Sequence, residues 1–266
     1  MKTINFYKIQ ATGNDFVVLD GRSETFNPDD RELVSKICNR RFGVGADGLL
    51  VLKNSNRENC DFEMIYRNSD GSYAEMCGNG ARAIVYFAHF VVKLKDEKTY
   101  QFHIDENIYQ ADIEGQLICL EMTQISDQGK FDLSQFPMGK DAYFIDTGVP
   151  HSVFFSDEFT GDFCEWAAKI RFSKVFPKGS NVNLVRIERE HEISIRTYER
   201  GVEGETLSCG TGVTACALAY AKNENLDRGV IKVRTEGGRL EVLIGENSTI
   251  LKGPAKVVFV GQYERE

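Results

Sequence analysis

Two short turns in the sequence place a cysteine directly before a glycine, and these cysteines are the residues best suited to chemistry. Residues 75–80 read EMCGNG and residues 207–212 read LSCGTG, so that Cys209 follows Cys77 by 132 positions. A stretch typical of a helix follows each turn. A cysteine at a helix N-cap lies at the positive end of the helix dipole, beside unpaired backbone amides that favour the thiolate. The sequence therefore predicts two activated thiols.

Two equivalent thiols fit an inversion of configuration better than a hydrolysis. A cysteine hydrolase needs one thiol, one histidine and an oxyanion hole, and it gains nothing from a second thiol. Inverting a stereocentre requires a base on one face of the carbon and an acid on the other. The glycines after each cysteine also allow a ligand carboxylate to approach the helix-start amides. The alternative is that both cysteines simply pack at helix starts.

A faint internal repeat places the two turns in equivalent positions. SYAEMCGNGARAIVYFA (72–88) aligns with GETLSCGTGVTACALAY (204–220). Upstream, ATGNDFVVL (11–19) aligns with DTGVPHSVF (146–154), and FEMIYRN (62–68) aligns with ISIRTYER (193–200), with Tyr66 opposite Tyr198. The order of elements is therefore predicted to recur in the two halves of the chain.

Each half combines short alternating runs, typical of strands, with one apolar helix that begins at the Cys-Gly turn. The helices are predicted at roughly 79–93 and 211–223, and both look apolar on nearly all faces, as a helix enclosed by a curved sheet must be. The predicted fold class is α/β (α+β), with two pseudo-symmetric domains, each a curled mixed sheet around a central helix. We expect residues 1–120 with 255–266 to form one domain and 121–254 the other.

GVGADG (43–48) spells the glycine fingerprint of dinucleotide-binding proteins, but its context is reversed. That fingerprint follows a strand and opens a helix. Here residues 29–41 read as a helix with an acidic first turn, and residues 49–52 read as a strand. The glycines are therefore interpreted as a tight helix-to-strand connection.

Composition excludes several functional classes. The net charge of -8 argues against a nucleic-acid surface, which concentrates Lys and Arg. Seven cysteines without a CxxC pair argue against a zinc cluster or a disulfide framework. The longest apolar stretch, 83–92, is too short to span a membrane, and the N-terminus reads as a strand rather than as a signal peptide. We therefore expect a cytoplasmic protein with reduced thiols and a small-molecule partner.

Over nearly its full length the sequence resembles the diaminopimelate epimerase family. The motifs that carry the resemblance are GNDFVVLD (13–20), GVGADGLL (43–50), NSDGSYAEMCGNGAR (68–82), GVPH (148–151), NVN (181–183) and YERGVEGETLSCGTG (198–212). The resemblance implies epimerisation of LL-2,6-diaminopimelate to the meso form, for lysine and cell-wall precursors, without pyridoxal phosphate or any other cofactor and without metal. It also implies a homodimer.

The resemblance assigns a role to each candidate site residue. Cys77 and Cys209 would be the acid/base thiols, and His151 and Glu199 would tune the thiols or hold the amino group. The reacting carboxylate would be bound at the helix starts by Gly78, Asn79, Gly210 and Thr211. The distal end of the substrate would be bound by Asn14, Asn68, Asn183 and Arg200, because a guanidinium matches a carboxylate bidentately.

Three departures from the family pattern affect the distal pocket. Val149 replaces the asparagine of a frequent Asn-Pro-His, Gly48 stands where many members have glutamine, and GVEGET is one residue longer than the usual GAGET. Two alternatives stay open. One is a proline or hydroxyproline racemase-type enzyme, which also uses two thiols but whose substrate has no second carboxylate. The other is a fold-related isomerase or binding protein.

Overall fold

The computed structural model describes residues 2–23, 26–74, 76–123, 125–131, 142–159 and 162–265. The chain divides into two compact units. Unit 1 comprises Met1–Leu120 and Gly253–Glu266, and unit 2 comprises Glu121–Lys252.

Strands predominate in the described residues, and helices connect some of them. In chain order the elements are β1 (Lys2–Ala11), β2 (Asn14–Asp20), α1 (Arg31–Cys38), β3 (Gly48–Lys53), β4 (Phe62–Asn68), α2 (Gly78–Tyr86), a π-helical turn (Phe87–Val91), β5 (Thr99–Ile104), β6 (Asn107–Glu114), β7 (Leu117–Glu121), β8 (Ile125–Phe131), β9 (Ala142–Thr147), β10 (Pro150–Phe155), α3 (Phe163–Arg171), β11 (Asn181–Arg189), β12 (Glu192–Glu199), β13 (Gly204–Thr206), α4 (Gly210–Asn223), β14 (Gly229–Thr235), β15 (Gly238–Ile244), β16 (Thr249–Pro254) and β17 (Lys256–Arg265).

The sheet of unit 1 has the order β17-β1-β2-β3-β4-β5-β6-β7. The pairs β2–β3 and β4–β5 are parallel, and the other neighbours are antiparallel. Helix α2 packs on β1, β2, β3 and β4, and every residue from Gly78 to Val85 is buried. A helix surrounded in this way must be apolar on nearly all faces.

The sheet of unit 2 repeats this order as β8-β9-β10-β11-β12-β14-β15-β16, with β13 added beside β12. The parallel pairs, β10–β11 and β12–β14, fall at the same places. Helix α4 packs on six of these strands and is buried along most of its length. The predicted fold class, a mixed α/β protein with two pseudo-symmetric units, is confirmed.

Both enclosed helices begin at a cysteine with the same backbone geometry. Cys77 is the N-cap of α2 with φ -123° and ψ 116°, and Cys209 is the N-cap of α4 with φ -118° and ψ 112°. The predicted helix starts are therefore correct to one residue. The first helix reaches Val91 only through its π-helical turn. Within the described ranges no helix is long and apolar enough to cross a membrane.

A shorter helix covers the outer face of each sheet. In unit 1, α1 buries Leu33, Val34 and Ile37 against outward-facing side chains of β1, β2 and β3, and Asp30 caps it by accepting from the Leu33 amide. The predicted helix at 29–41 is present but shorter, and residues 43–47 connect it to β3 as predicted. In unit 2, α3 packs Phe163, Trp166 and Ile170 in the same way. The sequence analysis did not predict α3.

Strand register corrects one detail of the predicted repeat. Leu50 pairs with Tyr66 in unit 1, and at the corresponding place in unit 2 Asn183 pairs with Thr197. Tyr198 points to the outer face, where it packs in the α3 cluster. Tyr66 points inward and contacts Phe16. Aligning Tyr66 with Tyr198 was therefore wrong by one residue, which exchanges the two faces of a strand.

Candidate active site

Cys77 lies at the start of α2 with its sulfur in contact with two polar groups. The Gly80 amide donates to Sγ at 3.4 Å, which satisfies one of the unpaired amides of the helix start. On its other side, Sγ lies 3.7 Å from Oδ1 of Asn14, to which a thiol can donate. Cys77 is half-buried. The predicted contact between the first thiol and backbone amides is therefore present.

A network of charged side chains fixes which atom of the Asn14 amide faces the sulfur. Nδ2 of Asn14 donates to Asp47 at 2.7 Å, so Oδ1 is the atom directed towards Cys77. Arg40 holds Asp47 and Asp15 together, with nitrogen–oxygen distances of 2.6 Å to each. Asp47 and Arg40 come from the loop between α1 and β3, which the sequence analysis treated only as a connection.

Arg82 lies beneath the start of α2 and is completely buried. Its Nη2 donates to Oδ1 of Asn79 at 2.9 Å and to Oγ1 of Thr12 at 3.1 Å. Asn79 in turn donates through Nδ2 to Oδ1 of Asn14 at 3.3 Å. A chain of polar contacts therefore runs from a buried guanidinium to the residue that touches Cys77, and the sequence analysis did not include Arg82 in the site.

Cys209 occupies the equivalent place in unit 2 and is more deeply buried. Its Sγ lies 3.2 Å from Oγ1 of Thr211, and either atom can be the donor. The Thr211 carbonyl accepts from Oγ1 of Thr147 at 3.2 Å, which fastens the start of α4 to β9. The second thiol therefore has a hydroxyl partner, whereas the first has an amide oxygen and a backbone amide.

Three polar side chains form a buried trio behind Cys209, namely His151, Asn183 and Thr197. Nδ2 of Asn183 lies 3.1 Å from Nδ1 of His151, and Oγ1 of Thr197 donates to Oδ1 of Asn183 at 3.0 Å. Burial, with the nearby Arg200, lowers the pKa of His151 to about 3 in spite of an opposing contribution from Asn183, so the imidazole is neutral at ordinary pH. Nδ2 of Asn183 also donates to the Ser152 carbonyl at 3.2 Å.

Unit 1 has apolar or aromatic side chains where unit 2 has the trio. The corresponding residues are Phe16, Leu50 and Tyr66, as the strand pairings show. The surroundings of the glycine three residues after each cysteine show this difference between the units. A Cβ at Gly80 would meet carbon atoms at 3.4 Å or more, whereas at Gly212 it would lie 2.8 Å from Oδ1 of Asn183. The two thiols therefore lie on equivalent backbone elements but have different side chains around them.

The structure places the remaining predicted site residues in settled surroundings. Asn183 is completely buried, and both ends of its amide are engaged within unit 2. Nδ2 of Asn68 donates to Ser72 at 3.0 Å and to the Tyr73 carbonyl at 3.2 Å, as in a local turn. Glu199, the last residue of β12, is half-buried.

Arg200 follows β12 and is held through both its main chain and its side chain. Its amide donates to Oδ1 of Asn181 at 2.8 Å, and its Nη1 donates to the Lys178 carbonyl at 3.2 Å. Asn181 is buried and also donates to the Pro150 carbonyl at 3.0 Å. Asn181 belongs to the NVN motif, but no role was predicted for it from the sequence. In the structure it fixes the backbone of the predicted carboxylate-binding arginine.

The surroundings of the other cysteines distinguish them from the candidate pair. Burial raises the pKa of Cys216 well above its usual value and that of Cys38 to about 12. Burial also raises the pKa of Cys60. Such thiols stay protonated and unreactive near neutral pH. Among the described residues, no group of three or more His, Cys, Asp or Glu side chains could hold a metal ion.

These features define a class of protein: two repeated α/β units, each with a sheet around a buried helix that starts at a cysteine. Comparison with known proteins identifies the family. The family model described as "Diaminopimelate epimerase" matches residues 6–123 and 143–258. A diaminopimelate epimerase of Flavobacterium psychrophilum is 40% identical over 264 residues, covering 96% of this chain and 98% of the relative. One from Chlorobaculum tepidum is 37% identical over 260 residues, covering 95% and 98%. The chain belongs to the diaminopimelate epimerase family.

Solved structures share the fold at much lower identity. A Bacillus anthracis phenazine biosynthesis protein of the PhzF family superimposes with a TM-score of 0.76 at 17% identity, covering 100% of both chains. A hydroxyproline epimerase from Agrobacterium vitis, solved with bound trans-4-OH-L-proline, gives a TM-score of 0.74 at 12% identity, covering 98% of this chain and 92% of that chain. These similarities establish the fold.

Proposed function

We propose that the chain is an isomerase that epimerises LL-2,6-diaminopimelate to meso-diaminopimelate, a step of lysine and cell-wall precursor biosynthesis. Its substrate is a small amino acid. The proposal rests on membership of the family and on the names of relatives that are 35–40% identical over nearly the whole chain. The reaction is proposed to need neither pyridoxal phosphate nor metal, with the proton transfers made by the protein's own thiols.

In the proposed mechanism, one thiolate removes the proton from the α-carbon and the other residue, as a thiol, returns a proton to the opposite face. Cys77 and Cys209 take these roles and exchange them when the direction of reaction changes. The α-carboxylate binds at the helix starts, at Gly78 and Asn79 and at Gly210 and Thr211, because unpaired amides and the helix dipole favour an anion there. Negative charge that develops on this carboxylate during proton removal is stabilised by the same groups.

The remaining site residues are proposed to position the substrate. Glu199 and the neutral imidazole of His151 contact the reacting end of the substrate. Asn14, Asn68 and Arg200 bind its distal amino-acid group. Asn183 is proposed to act differently from the sequence-based assignment. Its amide groups are already engaged with His151 and Thr197, so it orients His151.

One observation carries the two-thiol mechanism. Cys77 and Cys209 cap repeat-related helices with backbone angles that agree within 5°, although the side chains around the sulfurs differ. Packing alone does not require a cysteine at both places. A matched pair of activated thiols is what an inversion at carbon requires.

A substrate comparison in heavy water tests the proposed function. The protein should convert LL-diaminopimelate to the meso isomer and should leave L-proline and trans-4-hydroxy-L-proline unchanged. Because the returning proton comes from a second group, deuterium should appear in the product before it appears in recovered substrate, as followed by NMR and mass spectrometry. Turnover of proline without turnover of diaminopimelate would instead establish a proline racemase-type enzyme.

We further propose that the enzyme is a cytoplasmic homodimer. A mechanism with two free thiols suits a compartment that keeps cysteine reduced. Strand β17 exposes three consecutive apolar residues, Val258, Phe259 and Val260, and such a run is typical of an interface. Sedimentation equilibrium should give about twice the 30.0 kDa of one chain, and a Val260→Lys variant should shift the mass towards one chain. A wild-type mass of one chain at micromolar concentration would contradict the dimer.

A further inference from the structure

The two repeat-related helices differ in charge at one buried position. Five residues after its cysteine, α2 has Arg82, whereas α4 has Thr214. Both side chains are completely buried. Oγ1 of Thr214 donates to the Gly210 carbonyl of its own helix at 3.1 Å, as buried threonines in helices commonly do. Arg82 instead directs its guanidinium to Asn79 and Thr12 at the helix start.

Arg82 is charged at neutral pH in spite of its burial. Burial lowers the pKa of the guanidinium to about 10, and its electrostatic interaction with Cys77 opposes that decrease. Within the described residues, no hydrogen-bond acceptor contacts its Nε or Nη1. Burying a cation is costly unless an anion compensates it. As a thiolate, Cys77 would supply this anion, since polar contacts run from Arg82 through Asn79 and Asn14 to its sulfur.

Other charged groups on the strands that pack on α2 face away from the helix or are paired. Inward side chains of these strands include Tyr7, which contacts Phe87, and Phe16, which contacts Tyr66. Because side chains alternate along a strand, the outward positions include those of Lys8, Asp15, Lys53, Glu63 and Arg67. Asp20 is at an inward-facing position, but it is the last residue of β2 and forms an ion pair with Arg22 at 2.7 Å. His89, in the turn after α2, contacts the Tyr100 hydroxyl at 3.0 Å.

The contacts of the two sulfurs favour different protonation states. Cys77 accepts from a backbone amide at 3.4 Å, is half-buried and has a buried cation beneath it, all of which favour a thiolate. Asn14 Oδ1 accepts from the thiol at 3.7 Å and so opposes the three features that favour the thiolate. Cys209 is more deeply buried, which disfavours a thiolate, and α4 has the uncharged Thr214 at the place that Arg82 occupies in α2.

We propose that Arg82 is a positioning residue that makes Cys77 the thiolate, and Cys209 the thiol, of the substrate-free protein. It acts through charge and by orienting Asn79, whose Nδ2 it turns towards the Asn14 oxygen beside the sulfur. The two thiols are then inequivalent at rest, although they exchange roles during turnover. The inference deepens the proposed function, because it concerns the protonation of the same two thiols.

Alkylation by iodoacetamide without substrate tests the proposal. The rate at each cysteine of the full chain is measured from pH 5 to 10 by mass spectrometry of digested peptides, and the midpoint of each rate profile is compared. In the wild type, Cys77 should have the lower midpoint. Arg82→Met, which keeps an unbranched apolar stem without charge, should raise the Cys77 midpoint by about one unit and slow alkylation about 10-fold at pH 7. Arg82→Lys should retain most of the wild-type rate.

Two controls separate charge from general disturbance. The Cys209 midpoint in the same Arg82 variants should stay unchanged, and Thr214→Val, at the matching place in α4, should leave the Cys77 midpoint unchanged. A folded Arg82→Met protein with the wild-type Cys77 midpoint would overturn the proposal. If that variant does not fold, the wild type decides, since a Cys77 midpoint equal to or above that of Cys209 also overturns it. The readout needs no turnover, so an absence of epimerase activity would count against the proposed function alone.

Discussion

Replacing either Cys77 or Cys209 by alanine should lower kcat for epimerisation by about 10³-fold or more. Each thiol is proposed to serve one face of the carbon, so the remaining thiol cannot replace it. Cys38 and Cys216 are not suited to take over, because burial keeps both thiols protonated. The measurement is the initial rate of meso product from the LL isomer for each purified variant.

Cys216→Ala is the matched control for these two variants. Cys216 lies two helical turns beyond Cys209 in α4 and is completely buried. Removing its sulfur should lower the free energy of unfolding by about 1 kcal/mol and change kcat less than about threefold. Near-normal epimerisation by either Cys77→Ala or Cys209→Ala would refute the two-thiol mechanism.

Much of the fold could be predicted because the repeat and the alternation of apolar residues are local signals. The Cys-Gly turns fixed the starts of both enclosed helices to one residue, since a tight turn before an apolar run has few other structures. Helix α3 was missed, although Phe163, Trp166, Ala167 and Ile170 have helical spacing and are buried. The half-chain comparison could have found it, because α1 occupies the corresponding place between β2 and β3.

The parts of the candidate site that were missed depend on tertiary contacts. Asp47 lies in the glycine-rich stretch 43–48, which was interpreted from its glycines alone. Nothing in the sequence indicates that Asp47 would bind Asn14. Arg82 did carry a signal, since it is the only charged residue between Cys77 and Val92. A single charged residue in an otherwise apolar helix either lies on an exposed face or is buried beside polar partners. The structure shows that Arg82 is buried.

The polar trio behind Cys209 was invisible for a different reason. His151, Asn183 and Thr197 come from three strands, and their meeting depends on register as well as on sequence. A one-residue error in aligning β4 with β12 placed Tyr198, rather than Thr197, on the inner face. The same error concealed that unit 1 has Phe16, Leu50 and Tyr66 at these positions. Period-two patterns constrain which face a strand buries only when the register is known.

Asn183→Leu should strongly destabilise unit 2, although it introduces the residue that unit 1 has at the corresponding position, Leu50. The change leaves His151 Nδ1, the Ser152 carbonyl and Thr197 Oγ1 without their present partner in a fully buried environment. Unsatisfied buried polar groups should lower the free energy of unfolding by about 3–5 kcal/mol in total. Urea denaturation followed by tryptophan fluorescence measures this change, because Trp166 lies in unit 2.

A second variant decides whether the loss comes from orphaned polar groups. Asn183→Leu combined with Thr197→Val removes the unsatisfied hydroxyl together with its former acceptor, so about 1–2 kcal/mol of stability should return. Epimerisation should stay low, because His151 is still unsupported. The sequence-based role for Asn183, direct binding of the distal end of the substrate, predicts another outcome for Asn183→Leu: a raised KM with unchanged stability and no rescue by Thr197→Val. That result would return Asn183 to the substrate-binding set and would show that His151 keeps its orientation without it.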